Sequence, residues 1–275
     1  MITWGIRQWL ALGSVLLAVS SFAQDLGTDF AKERELLLSN KQMNQFFRRF
    51  NGEEKPSGDR LYPDHKDYRS SKLRQLFLPM LFDQQSNIPA PIRKSFIERV
   101  QDAPYYLSLH GGLFYAEVLT AFEIDGLQEK VTLILSLQEE NIGSKWVISA
   151  AFAPVFQQHF ASDTNKLLPF MHPLSHELEF MTLRRAFEDP GKMRPYVENE
   201  FIPNQLSILL WEIKRKKARF QTILGVKFHC FQIPGYYFRI AQLVRPGENS
   251  GWLISKLATC APSAAPHFLE TLETP

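Results

Sequence analysis

Cysteine is scarce in this chain: two residues in 275, Cys230 and Cys260. They are too few for a four-ligand structural zinc site and lack the C-x-x-C spacing of a redox pair. At most they form one disulfide. Charge of one sign is also missing. With 31 basic and 29 acidic residues, the chain has no electrostatic footprint for nucleic acid. Catalytic signatures are absent as well. There is no G-x-S-x-G nucleophile elbow, no H-E-x-x-H zinc helix, no G-x-x-x-x-G-K-[ST] phosphate loop and no EF-hand loop. No run after the first 23 residues is apolar enough to span a bilayer, so stable membrane insertion is not expected. These gaps favour a binding role over catalysis, and no cofactor and no metal site are expected.

The N-terminus reads as a bacterial-type signal peptide over residues 1–23. One cation, Arg7, precedes an apolar run from Trp9 to Val19; Ser20, Ser21, Phe22 and Ala23 then place small residues at −3 and −1 of a cut before Gln24. Arg7 and Gln8 leave the run short of the roughly 20 apolar residues of a spanning helix. The expectation is export to the periplasm or the exterior. In an oxidising compartment a Cys230–Cys260 bridge is permitted, while a buried thiol is equally compatible with the strand around Cys230.

The remainder has a repeated ending. Ser144-Lys145-Trp146-Val147-Ile148-Ser149 returns 106 residues later as Ser250-Gly251-Trp252-Leu253-Ile254-Ser255. Each copy closes a run of β-like segments that follows helical stretches. In the first half, Met43, Phe46, Phe47 and Phe50 make one helical stripe, stopped by Asn51-Gly52. Residues 52–71 read as a loop. Leu73, Leu76, Phe77 and Met80 predict a second helix disturbed at Pro79, and Ile92, Phe96 and Val100 face inward on a third. Phe114 to Glu123 alternate with period two, Asp125-Gly126 marks a turn, and Val131, Leu133, Leu135 and Leu137 return. In the second half, Ser175 caps a helix with Phe180, Leu183 and Phe187 inward, and Pro190-Gly191 stops it. Leu206, Leu209, Leu210 and Ile213 stripe another. Strands follow over Phe220 to Ile233, Tyr236 to Val244 and Trp252 to Leu257, with turns at Pro234-Gly235 and Pro246-Gly247-Glu248-Asn249. Phe47-Arg48-Arg49-Phe50 is echoed by Leu183-Arg184-Arg185-Ala186-Phe187.

The pattern predicts an α+β protein of two related units, each of helices followed by a curved antiparallel sheet. The expected limits are 24–155 and 170–260, with a flexible tail over 261–275. In element order and in the closing Ser-x-Trp-(Val/Leu)-Ile-Ser strands, each half resembles the nuclear-transport-factor-2-like (cystatin-like) superfamily, in which a bent sheet wraps a helix. The resemblance implies tandem domains. It fixes no function, because that superfamily holds enzymes, carriers and structural modules. Trp146 and Trp252, at matched positions, are expected as core anchors.

Several residues invite chemical readings. His172-Pro173-Leu174-Ser175-His176-Glu177-Leu178-Glu179 offers imidazoles four apart with carboxylates beside them, yet Pro173 and Ser175 fit a capped helix start better. His110-Gly111-Gly112 reads first as a turn and second as a source of backbone donors. Glu117 shares a strand face with Tyr115 and would serve as a general base if burial raised its pKa. Lys214-Arg215-Lys216-Lys217 with Arg219 sits at a helix C-terminus, where cations offset the dipole. The reading that follows is an exported, non-catalytic module that binds a protein partner or an apolar ligand in the sheet's concavity. Its rival is a small-molecule hydrolase or isomerase led by His110 and Glu117. A third reading is a stacking component of a cell-envelope assembly.

Overall fold

Met43, Phe46, Phe47 and Phe50 are all buried on helix α1, residues 43–51, as their spacing requires. The computed structural model describes residues 43–103, 105–110, 113–141, 143–158, 204–245 and 250–261. The segment read as a signal peptide, the His172–Glu179 segment, the helix expected around Phe180–Phe187, the turn expected at Pro246–Asn249 and residues 262–275 lie outside these.

Helix α1 ends at Gly52, whose φ of 74° is left-handed. A Cβ at Gly52 would approach Arg74 Cγ to 3.0 Å and Ser70 O to 3.3 Å, so glycine is required both for the turn and for the close approach. Helix α2, Ser71–Phe77, is capped by the Ser70 hydroxyl, which accepts from Leu73 N. The expected continuation to Met80 differs in detail: Pro79 converts Leu78–Leu81 into a 3-10 turn. With three residues per turn the inward face rotates, so Leu78 and Leu81 are buried while Leu76 and Met80 face out. Helix α3, Ala90–Asp102, starts at a proline and buries Phe96 and Val100.

Strands β1 (Phe114–Ile124), β2 (Leu127–Glu140) and β3 (Gly143–Phe152) form a meander. Asp125 and Gly126 both have positive φ, 49° and 82°, the geometry that joins twisted antiparallel strands through two residues. Helix α4, Pro154–Gln158, follows β3. Helix α5, Gln205–Lys214, is capped by Asn204 Oδ1, which accepts from Ser207 N at 3.2 Å. Strands β4 (Ala218–Cys230), β5 (Tyr236–Leu243) and β6 (Gly251–Thr259) follow among the described residues.

All six strands belong to one antiparallel sheet in the order β3-β2-β1-β4-β5-β6. The expectation of a separate sheet for each half is therefore corrected. The physical reason is edge pairing. Each three-stranded meander has its first strand exposed at one side, and joining β1 to β4 removes two open edges at once. The β1–β4 register slips twice, between Leu119 and Thr120 and between Ala121 and Phe122. Leu224 and Gln221 are thereby extra residues on β4, two bulges that bend the strand.

The described residues gather into two compact units. One contains 43–108 and 240–258, the other 109–239 and 259–261. The first is centred on phenylalanines: ring centroids of Phe46 and Phe50 lie 6.4 Å apart, Phe50 and Phe96 6.3 Å, Phe82 and Phe96 5.9 Å. Within it, Phe82 bridges Ile254 of β6. Buried Asn51 exchanges two hydrogen bonds with the Leu107 backbone, at 2.8 and 2.9 Å. Arg74 Nη2 donates to the carbonyls of Val100 and Tyr105, at 2.6 and 2.8 Å, filling acceptors left open where α3 ends. The second unit packs Leu209 of α5 and Phe156 against Phe122, Val131, Leu133, Ala151 and Ala218. Of the expected α5 stripe only Leu209 is buried; Leu210 and Ile213 are exposed.

The two matched tryptophans differ, a second correction. Trp252 is 5% exposed, whereas Trp146 is 40% exposed, although both lie on outer strands of the sheet, β6 and β3. Trp146 has ring contacts with Phe114 and Phe228, each at 6.3 Å. Phe96→Ala is expected to cost about 3–5 kcal/mol in urea unfolding, because it removes a ring from a filled core. Trp146→Ala is expected to cost about half that or less, since much of its surface stays in water.

Candidate functional site

Register decides which side chains meet on the β1–β4 pair. Tyr115 lies opposite His229, and Glu117 opposite Lys227, so period-two alternation puts all four on one face. The other face carries Phe114, Ala116, Phe228 and Cys230, all buried. His229 Nε2 is 2.8 Å from Glu117 Oε2, and Lys227 Nζ donates to Glu117 Oε1 at 3.0 Å. On its other side His229 Nδ1 is 2.9 Å from the Tyr237 hydroxyl of β5. Tyr237 stacks on the imidazole, with planes 14° apart, and touches Phe231, which meets Tyr115 edge-on.

Glu117 is held at about 2, first by the hydrogen bond from His229, against the opposing effect of burial, and then by Lys227. The sequence reading needed burial to raise this carboxyl; two donors override it, and a carboxylate so acidic is a poor general base. An ionised carboxylate only accepts, so Nε2 of His229 carries the proton; in the neutral ring Nδ1 then accepts from Tyr237. Burial pushes the Tyr237 phenol up to about 12, far from nucleophilic use. His229 is 3% exposed, with both ring nitrogens engaged. The constellation is a closed network that pins three strands together.

The other residues singled out by sequence separate. His110 Nδ1 lies 3.0 Å from Ser144 Oγ on the exposed surface, whereas the hydrogen bonds of Glu117 go to His229 and Lys227. The basic cluster turns to the β1 end of the sheet: Lys217 pairs with Asp125 at 2.9 Å and Arg219 with Glu123. Both cysteines are free thiols, and complete burial pushes Cys230 up to about 12. Among the described residues no three His, Cys, Asp or Glu side chains gather to hold a metal, and no helix is long and apolar enough to cross a membrane.

A groove of 350 Å³ opens in the first unit, between α1, the 3-10 turn and the facing ends of β5 and β6. Its walls are Phe46, Phe77, Met80 and Trp252, with Arg49 and Arg245 among them. Both arginines are held in place by carboxylates. Glu54 is wholly buried, and it accepts from Gln45 Nε2 (2.9 Å), Arg48 Nε (3.2 Å) and Arg49 Nε (2.9 Å). The consecutive arginines of Phe47-Arg48-Arg49-Phe50 thus converge on one carboxylate. Arg49 also lies 5.7 Å from the Phe77 ring centroid. Arg245 Nη1 donates to Asp83 Oδ1 at 2.9 Å, and that hydrogen bond is the main reason the Asp83 carboxyl sits below its usual range.

No family model, no curated protein and no solved structure matches this chain.

A depressed folded-state carboxyl contributes stability above its unfolded value and loses it as pH falls. For Glu117 the window runs from about 4.5, the ordinary carboxyl value, down through about 2. About 2–3 kcal/mol should be lost across it. Urea midpoints measured at pH 6, 4 and 2.5 should decline for the natural protein, and Glu117→Gln should flatten that decline while lowering stability at pH 6.

Proposed function

We propose that this protein is an exported, non-catalytic binding module that takes a small ligand with an apolar body in the groove beside Trp252. The observation that carries the reading is the groove itself. Its volume lies in the range of small-molecule sites, about 300–1,000 Å³. Its walls set the apolar side chains Phe46, Phe77, Met80 and Trp252 beside a substantial polar surface, in which Arg49 and Arg245 are fixed by ion pairs. The rival enzymatic reading draws less support, because Glu117 is strongly acidic and His229 is engaged on both nitrogens.

Descent from one duplicated helix-plus-meander unit, nuclear-transport-factor-2-like in element order, belongs to the same proposal. It is supported by symmetry in the strand order. The first strands of the two runs pair at the centre, and the closing Ser-x-Trp-(Val/Leu)-Ile-Ser segments fall on the two outer strands, β3 and β6. Export rests on the sequence of residues 1–23 and on the small residues before Gln24.

Two measurements test the proposal. Intact mass of the protein recovered from the periplasm or medium of a bacterial host should correspond to a chain starting at Gln24; retention in the cytoplasm with Met1 in place would reject export. The neutral dye N-phenyl-1-naphthylamine should bind and brighten. Met80→Asp should weaken it by at least about ten-fold, a change expected to leave folding intact because Met80 is 58% exposed. No dye binding, or binding indifferent to Met80→Asp, would reject the groove as the site.

A further inference from the structure

The geometry points to an anionic amphiphile as the occupant of the Trp252 groove: a carboxylate or phosphate head on an apolar chain, the head held by Arg49 and Arg245. The inference rests on the groove being the binding site and adds the chemistry of what it takes.

Three observations support it. The first is unused donor capacity. A guanidinium has five N–H donors in a rigid fork. Arg49 uses Nε on Glu54, and Arg245 uses Nη1 on Asp83. Among the described residues no protein acceptor meets both Nη groups of Arg49, or Nε and Nη2 of Arg245. None of these atoms is a buried orphan, both side chains are partly exposed, and both residues line the groove. Each arginine is locked by one nitrogen and presents others, an arrangement that pre-organises a fork for an oxyanion.

The second is charge. The groove lining contains no aspartate or glutamate. Behind it, three guanidiniums, Arg48, Arg49 and Arg245, face two carboxylates, Glu54 and Asp83. One positive charge is left over, and it adds to the groove's pull on an anion. The carboxylates that anchor the arginines are both buried, so they act as supports behind the cations rather than as competitors in front of them.

The third is the opposite wall. Phe46, Phe77, Met80 and Trp252 line the groove together with the cations, and Met80 is the most exposed of the four. A free inorganic anion would leave those apolar side chains wet, whereas a neutral hydrocarbon would leave the remaining N–H donors of the two guanidiniums unused. A molecule with both parts satisfies both.

The test is calorimetric titration of the mature protein with four probes: dodecanoate, dodecyl phosphate, dodecanol and inorganic phosphate. Dodecanoate and dodecyl phosphate should each bind at least about ten-fold tighter than dodecanol, and inorganic phosphate should bind more weakly than dodecyl phosphate. Raising salt from 0.05 to 0.5 M, roughly a three-fold shorter screening length, should weaken the two anions and leave dodecanol unchanged. Arg49→Gln should remove the preference for the anions while keeping dodecanol binding within about two-fold. Arg245→Gln alone would strand buried Asp83, so the paired change Asp83→Asn with Arg245→Gln serves instead; it should erase the preference in a protein whose circular dichroism is unchanged. Dodecanol binding as tightly as dodecanoate would overturn the inference and leave the apolar groove standing. Inorganic phosphate binding as tightly as dodecyl phosphate would overturn the amphiphile in favour of a free anion. Failure of all four probes and of the neutral dye would reject the groove reading itself. The relative affinity of dodecanoate and dodecyl phosphate distinguishes a fatty-acid source from a phospholipid-like one.

Discussion

The pairing of β1 with β4 is the constraint on which the remaining architecture depends. These strands are separated by nearly a hundred residues of sequence, yet they form the centre of the sheet, and every other strand is added outward from them. One face of the pair is closed by stacked rings, Phe114 on Phe228 with centroids 5.3 Å apart. The opposite face is closed by the Glu117–His229–Tyr237 network. The apolar alternation selects which faces meet, while burial itself is non-directional and leaves the pairing of individual residues to other contacts. The hydrogen-bonded network reinforces that register, because a one-residue slip would carry Glu117 away from His229 and into the apolar layer. A fully satisfied polar network of this kind is stiff and costly to break.

The first unit uses carboxylates differently. Glu54 and Asp83 are buried at the expense of their hydration, and each recovers it through charged hydrogen bonds from arginine. The result is a set of cations with little freedom to move. Rigid positioning is what a recognition surface needs from long side chains, since an arginine that must be ordered on binding loses part of its interaction energy to entropy. The phenylalanine cluster beneath α1 holds the helix that carries Arg48 and Arg49, so the packing of the core and the geometry of the groove are set by the same few turns of chain.

Much of the local structure was legible in the sequence, and the long-range structure was not. The α1 stripe, the Asp125-Gly126 turn and the alternation of β1 announce themselves because they depend on neighbours within a few residues. The union of six strands into one sheet depends on which strand edges find each other, and no local pattern encodes that. Trp146 and Trp252 show the same limit: their flanking residues are similar and both strands lie at edges of the sheet, but Trp252 faces Phe46 and Phe77 in the groove while Trp146 stays 40% exposed. Glu117 was visible as a candidate, yet its acidity is set by His229, more than a hundred residues away. His229 and Lys227 alternate in a strand-like run, which was a usable signal for a shared face; what they face was not readable. The groove gave no sequence signal at all, since Phe46, Met80, Arg245 and Trp252 are brought together only by folding.

The two supernumerary residues of β4 carry a consequence for how this protein can vary. Along β1 the inward positions are even-numbered: Phe114, Ala116, Val118, Thr120, Phe122 and Ile124. Their partners on β4 are Cys230, Phe228, Val226, Ile223, Phe220 and Ala218. The parity changes at Leu224 and changes back at Gln221, so the two irregularities cancel and the strand's ends remain in phase, with only Thr222 and Ile223 reversed. Loss of one without the other would invert one end of the strand relative to the other, exchanging its oily side for its wet side. Insertions and deletions in β4 are therefore tolerable in compensating pairs and ruinous singly, a parity rule that any diverging copy of this chain must obey.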